Sequence, residues 1–228
     1  MNGQGDGGGH THEASTASLD AETQRKLDAQ LAGTKPLMER CTTVADAEAA
    51  GYLRAGPYSP GLGAHHNRIA AASLNMDVVI DPVDLERPTL ILDGIETTSK
   101  LASFMFMIMS LDTENPPEGF AGSNDQRHNH TKVCITVRPG GSVDSPLGAD
   151  TGAPKELCDK YGGTLIANTG YMVHVWTVPG YESLQGVFSN VNAKLTCTDG
   201  TYYTVTMEEI GHRTNVCTNV CTNVLDPA

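Results

Sequence analysis

The spacing of apolar positions changes near Gly51. Before it, Leu19, Leu27 and Leu31 fall on one stripe of a helix. Ser18 stands ready to cap that helix, Glu22 lies in its first turn, and Gly33 ends it. Thr42 or Thr43 then caps a second helix over 44–50, which Gly51 closes. Two N-terminal helices are therefore expected, packed on the outside of the β-rich region beyond Gly51.

After Gly51 the apolar runs are short and bounded by Gly, Pro, Asn and Asp, which is strand punctuation. Strands are expected over 52–58, 77–80, 89–92, 99–110, 127–137, 164–167, 171–178, 193–198 and 201–207. The run at 99–110 holds few polar residues and should be buried on both faces. Asp199-Gly200 is a two-residue hairpin signal joining the last two strands. A turn-rich loop is expected over 139–153. Pro154 opens a short helix over 155–160 that Gly162-Gly163 stops. The fold class is mainly β, a small β-barrel or sandwich with two N-terminal helices. Residues 1–17 are expected to be a disordered tail, 18–212 one β-rich domain with its helices at 18–50, and 213–228 a low-complexity tail. That last segment repeats Thr-Asn-Val-Cys from Thr214, and a period of four suits neither strand nor long helix.

Within this pattern one segment carries chemistry. Gly122 is followed by His128, His130 and Cys134 on an expected strand. Residues two apart on a strand project from one face, about 7 Å apart along the backbone, so both imidazoles can meet one ion. Two other segments carry histidine, the glycine-flanked His65-His66 and the expected strand with His174. His65 and His66 are adjacent and point to opposite faces, so only one can join. His174 shares its face with Met172 and Trp176. The metal set is thus His128, His130, His174 and one of His65 and His66, with Asp125 the best candidate to orient a ring through its second N–H. Glu96, Glu118 and Glu182 are further candidates for that task. Neutral imidazole suits copper, iron and zinc.

Composition narrows the classes. The chain has 228 residues and a formal net charge of −12, which repels phosphate backbones and argues against nucleic-acid binding. The longest apolar run, 101–111, is too short to span a membrane. Six cysteines without a CxxC pair argue against a zinc ribbon or thioredoxin-like motif. Cys134 and Cys158 flank one loop and are the favoured disulfide. An even cysteine number in a glycine-rich, lysine-poor chain fits an exported protein, and the N-terminal residues carry neither a basic nor an apolar leader region. The expectation leans to a secreted, mature form over an intracellular one. No GxSxG, P-loop, GxGxxG or HExxH is present.

The spacing of Gly122, His128, His130, Cys134 and Gly141 resembles the first motif of the cupin superfamily, which places Glu where Cys134 stands. The resemblance covers some twenty residues. It implies a small β-barrel with His128, His130 and His174 as ligands and, if catalytic, an iron or copper oxidoreductase acting on a small molecule. Thiol dioxygenases look like cupins that have lost this glutamate and linked a cysteine to a tyrosine, for which Cys134 with Tyr171 or Tyr181 would serve. The phrases beginning at Pro117 and His174 also resemble stretches of uncharacterised bacterial proteins. Two further functions stand beside the enzyme: a non-catalytic metal-binding or copper-handling protein, and an exported structural subunit whose tail links chains into a homo-oligomer.

Overall fold

In the computed structural model, the described residues are 18–56, 58–68, 88–108, 119–122, 124–125, 127–147, 152–196, 202–207 and 212–217. The tail over 1–17 and the expected strand at 77–80 lie outside them.

The chain opens with three helices, one more than the apolar spacing predicts: α1 (Ala21–Ala32), α2 (Lys35–Arg40) and α3 (Val44–Ala49). Asp20, not Ser18, caps α1, its carboxylate accepting the Glu22 and Thr23 amides at 2.9 and 3.0 Å. A carboxylate next to the helix start outcompetes a more distant hydroxyl because it satisfies two of the four orphan N–H groups at once. Gly33 ends α1 as expected. The additional helix α2 is opened by a proline in its first turn, a position where the missing N–H costs nothing. Thr43 caps α3 in a reciprocal arrangement with Asp46. Backbone bonds from Val44 N–H to Ser99 O and from Ala45 N–H to Thr97 O dock α3 to the sheet.

The remainder is mainly β and forms a nearly closed barrel. The strands are β1 (Leu53–Arg54), β2 (Ala64–Asn67), β3 (Thr89–Leu92), β4 (Leu101–Ile108), β5 (His128–Val137), β6 (Val143–Asp144) and β7 (Thr164–Val175), and they form one antiparallel sheet in the order β1-β2-β3-β4-β7-β5-β6. A helix α4 (Lys155–Lys160) precedes β7, as Pro154 indicates. The two runs expected at 164–167 and 171–178 are one strand, β7. It continues through a bulge in which Thr169 and Gly170 oppose the single residue His130, and Gly170 takes φ +80° there. The segment 193–196 is not a strand; it turns, and Leu195 is buried against the sheet. A separate hairpin pairs β8 (Tyr202–Met207) with β9 (His212–Cys217), so the first Thr-Asn-Val-Cys unit lies on a strand. Cross-strand pairing supplies its backbone bonds whatever its side-chain period.

Strand alternation divides the core. Phe104, Phe106, Tyr171, Val173 and Val175 face the helices and pack with Leu27, Leu37, Val44 and Phe120. Ile91, Met105, Met172 and Trp176 face the other way. That second face is concave. The outermost strands, β1 and β6, are brought together by polar groups: Arg138 pairs with Asp144 at 2.9 Å and donates to the Arg54 carbonyl, and the Gly56 amide donates to Asp144 at 2.8 Å. These bonds latch an otherwise open edge.

Cys134 and Cys158 form a disulfide joining β5 to α4, with Cα atoms 5.4 Å apart. It lies in a small apolar cluster with Leu147 and Ala153. Gly163 passes so close that a Cβ there would sit 2.5 Å from the Cys134 sulfur. Cys134 is therefore not free to link to Tyr171 or Tyr181. Cys41 remains a buried free thiol.

Candidate metal centre

Four of the five predicted histidines gather on the concave face. His174 stands on β7, His128 and His130 on β5, and His65 on β2. The ring centroids of His128 and His174 are 5.2 Å apart, those of His128 and His130 5.1 Å, and those of His65 and His174 6.0 Å. Trp176 closes one side, its ring 6.0 Å from that of His174.

Register explains the assembly. His128 pairs across to Met172 and His174 to Met105, so all four share one face. His65 pairs with Ile91, which packs in the same cluster as Met105, Met172 and Trp176. At His130 the bulge interrupts the ladder, and the Thr169 hydroxyl holds the strand instead, accepting the His130 amide at 3.1 Å. A bulge here lets two histidines of one strand turn toward each other, their rings meeting edge to face at 84°.

His66 goes the other way. It is buried on the opposite face, level with Arg54 across the ladder, with its Nδ1 3.4 Å from the Ala64 carbonyl. The alternation that admits His65 excludes His66 from the cluster. Asp125 is buried and accepts the Phe120 amide at 3.2 Å, with Arg127 3.6 Å away. Its carboxylate thus organises the turn leading into β5. Glu182 accepts the Gly180 amide and pairs with Lys194 at the surface. Met105 and Met107 also lie on this face with Met172, which sequence reasoning named only as a neighbour of His174; their placement follows once β4 and β7 are paired.

Electrostatics favour neutral rings. Burial, then the neighbouring His130 and His66, push the His65 imidazole down to about 4. Burial, with His128 and His65 next in effect, holds His174 well below its ordinary range. His174 is 2% exposed, and neither ring nitrogen has a partner at full hydrogen-bond geometry, the Asn190 backbone being a looser contact. Unpaired buried nitrogens cost roughly 1–3 kcal/mol each, so natural chains seldom keep them without a use.

A donor nitrogen about 2.1 Å from an ion puts its ring centroid about 3.2 Å away, so two imidazoles on one ion have centroids about 5–6 Å apart. The three separations fall in this range, which is also the ordinary spacing of packed rings. As the side chains stand, no three His, Cys, Asp or Glu residues among the described ones form a group whose donors could hold an ion.

No protein-family model matches this chain, and neither curated proteins nor solved structures give a match. Among the described residues no helix is long and apolar enough to cross a membrane.

Proposed function

We propose that this protein binds a transition-metal ion through His174, His128 and His130, with His65 as the fourth imidazole. The observation that carries the reading is His174: buried, without a partner at full hydrogen-bond geometry on either nitrogen, and flanked by two more histidine rings at 5.2 and 6.0 Å. Imidazoles held neutral by burial need not release a proton before binding a cation. Copper, iron and zinc all suit such a set.

The cupin resemblance enters here as part of the proposal. Its histidine positions fall on three of the four clustered rings. Its glutamate position does not: Cys134 is held in the disulfide within another cluster. His65, from β2, takes the fourth place. Within this reading an iron or copper oxidoreductase acting on a small molecule would require one coordination position left open. His65, His128 and His130 are only partly buried, which leaves one side for such access. A ligand set closed by all four rings would instead make a metal-binding or copper-handling protein without turnover.

Metal analysis of the disulfide-intact chain, reconstituted anaerobically with copper, iron or zinc and desalted, tests the proposal. About one equivalent of one metal is expected, falling to background in His128→Ala and His174→Ala. Retention of no metal by the unaltered chain would sink it. Export and chain-to-chain assembly rest only on cysteine content and the Thr-Asn-Val-Cys tail; size measurement with and without reductant tests them.

A further inference from the structure

We infer that the histidine cluster is built for copper in its reduced state, with methionine thioethers as additional donors; this rests on the proposal that the cluster binds a metal. Three methionines interleave with the histidines across neighbouring strands. Met107 on β4 pairs with Met172 on β7, and Met172 pairs in turn with His128 on β5. In the adjacent row Met105 on β4 pairs with His174 on β7. Directly opposed residues have Cβ atoms about 4.5–5.5 Å apart, within reach of a flexible three-bond side chain. Met105 and Met172 are buried in one apolar cluster, and Met107 packs against it.

The choice of residue type distinguishes this face from its reverse. On the same two strands the helix-facing positions are Phe104, Phe106, Tyr171, Val173 and Val175, the aromatic and branched residues that strands favour. On this face the β4 and β7 residues opposed to His174, to His128 or to one another are Met105, Met107 and Met172, while Ile91, Ala102, Trp176 and Leu195 complete the cluster. As packing alone, leucine or isoleucine would fill the same space with better-defined rotamers. A thioether offers what they lack: a soft, neutral sulfur donor, which selects Cu(I) over Zn(II) and Fe(II). Imidazole tolerates all of these ions, so the histidines would hold an ion and the methionines decide which.

The test titrates the full disulfide-intact chain anaerobically with Cu(I) against a chromophoric Cu(I) chelator, and separately with Zn(II). The triple variant Met105→Leu/Met107→Leu/Met172→Leu should bind Cu(I) at least tenfold more weakly while its Zn(II) affinity stays within about twofold. Unchanged Cu(I) affinity, or Cu(I) and Zn(II) affinities falling together, would overturn the inference. So would a wild-type chain that binds Zn(II) but not Cu(I), although the histidine site itself would then stand. If the wild type bound neither of these ions nor Fe(II), the underlying metal proposal would fail as well. Copper-edge X-ray absorption of the Cu(I)-loaded wild type gives a reading independent of any variant: a sulfur shell beside nitrogen is expected, and nitrogen alone contradicts the assignment.

Discussion

The rings of His65 and His174 are 6.0 Å apart although two strands, β3 and β4, separate the strands that carry them. In a flat sheet those strands would lie about 14 Å apart. The sheet must therefore curl around this face, and the histidines lie inside the curl. What the curl gathers is a set of groups that would rather not be buried alone.

Removing one of them should expose that conflict. In chelator-treated protein, His174→Leu deletes two buried nitrogens that have only the loose Asn190 backbone contact, so stability to denaturant should hold or rise by about 1 kcal/mol. The same variant should lose metal binding. A fall of several kcal/mol in the apo form would show that His174 is a structural residue.

Acid should weaken the fold in a defined window. An unfolded histidine takes up a proton near its ordinary value of 6.5, whereas His65 resists until about 4. Between these values the unfolded chain binds more protons, so stability must fall as pH drops from about 6.5 to about 4 and flatten below for this group. His65 alone contributes an upper bound of about 3 kcal/mol, and His174, shifted the same way, adds to it. Urea unfolding of the metal-free chain at stepped pH checks this. His65→Leu should make the dependence shallower.

The latch between the two ends of the sheet is the next point of weakness. Arg138 and Asp144 are about a quarter exposed, and Asp144 also accepts the Gly56 amide. Asp144→Ala should cost about 1–2 kcal/mol, more than an exposed ion pair because a backbone donor is left unpaired. It should also speed amide exchange in β1. Exchange at β1 matching that of the unaltered chain would show that closure does not depend on the latch.

The disulfide should matter for stability and not for metal. Closing a loop over a separation of 24 residues is worth about 3 kcal/mol on chain entropy. Cys134→Ser/Cys158→Ser should lose about that much while retaining metal affinity, because the pair lies in a cluster of its own. A parallel loss of metal would place Cys134 closer to the site than its packing indicates.

Much of this was legible in the chain because alternation on a strand is a local rule. The shared face of His128 and His130, the exclusion of either His65 or His66, and the company of His174 with Met172 and Trp176 all follow from period two. Which of His65 and His66 joins depends on pairing with Ile91 or Leu90 across β3, and no local pattern specifies that partner. The bulge at Thr169-Gly170 was likewise hidden, since a glycine between two strand-like runs reads as a break unless the opposing strand is known. Ser18 lost the cap of α1 to Asp20 for a plainer reason: two oxygens nearer the helix start satisfy more of its amides. The methionine rows escaped notice because adjacency between β4 and β7 joins residues more than sixty positions apart.

In the proposed centre four particular histidines share one ion and a fifth does not. Histidine-ring NMR of the metal-free chain during titration with diamagnetic Zn(II) is the sharpest test of that assignment. The resonances of His128, His130 and His174 are expected to shift together and saturate at one equivalent, with His65 following them and His66 staying in place. Shifts confined to His66 or to histidines outside the cluster, or no saturable shift at all, would refute the shared centre.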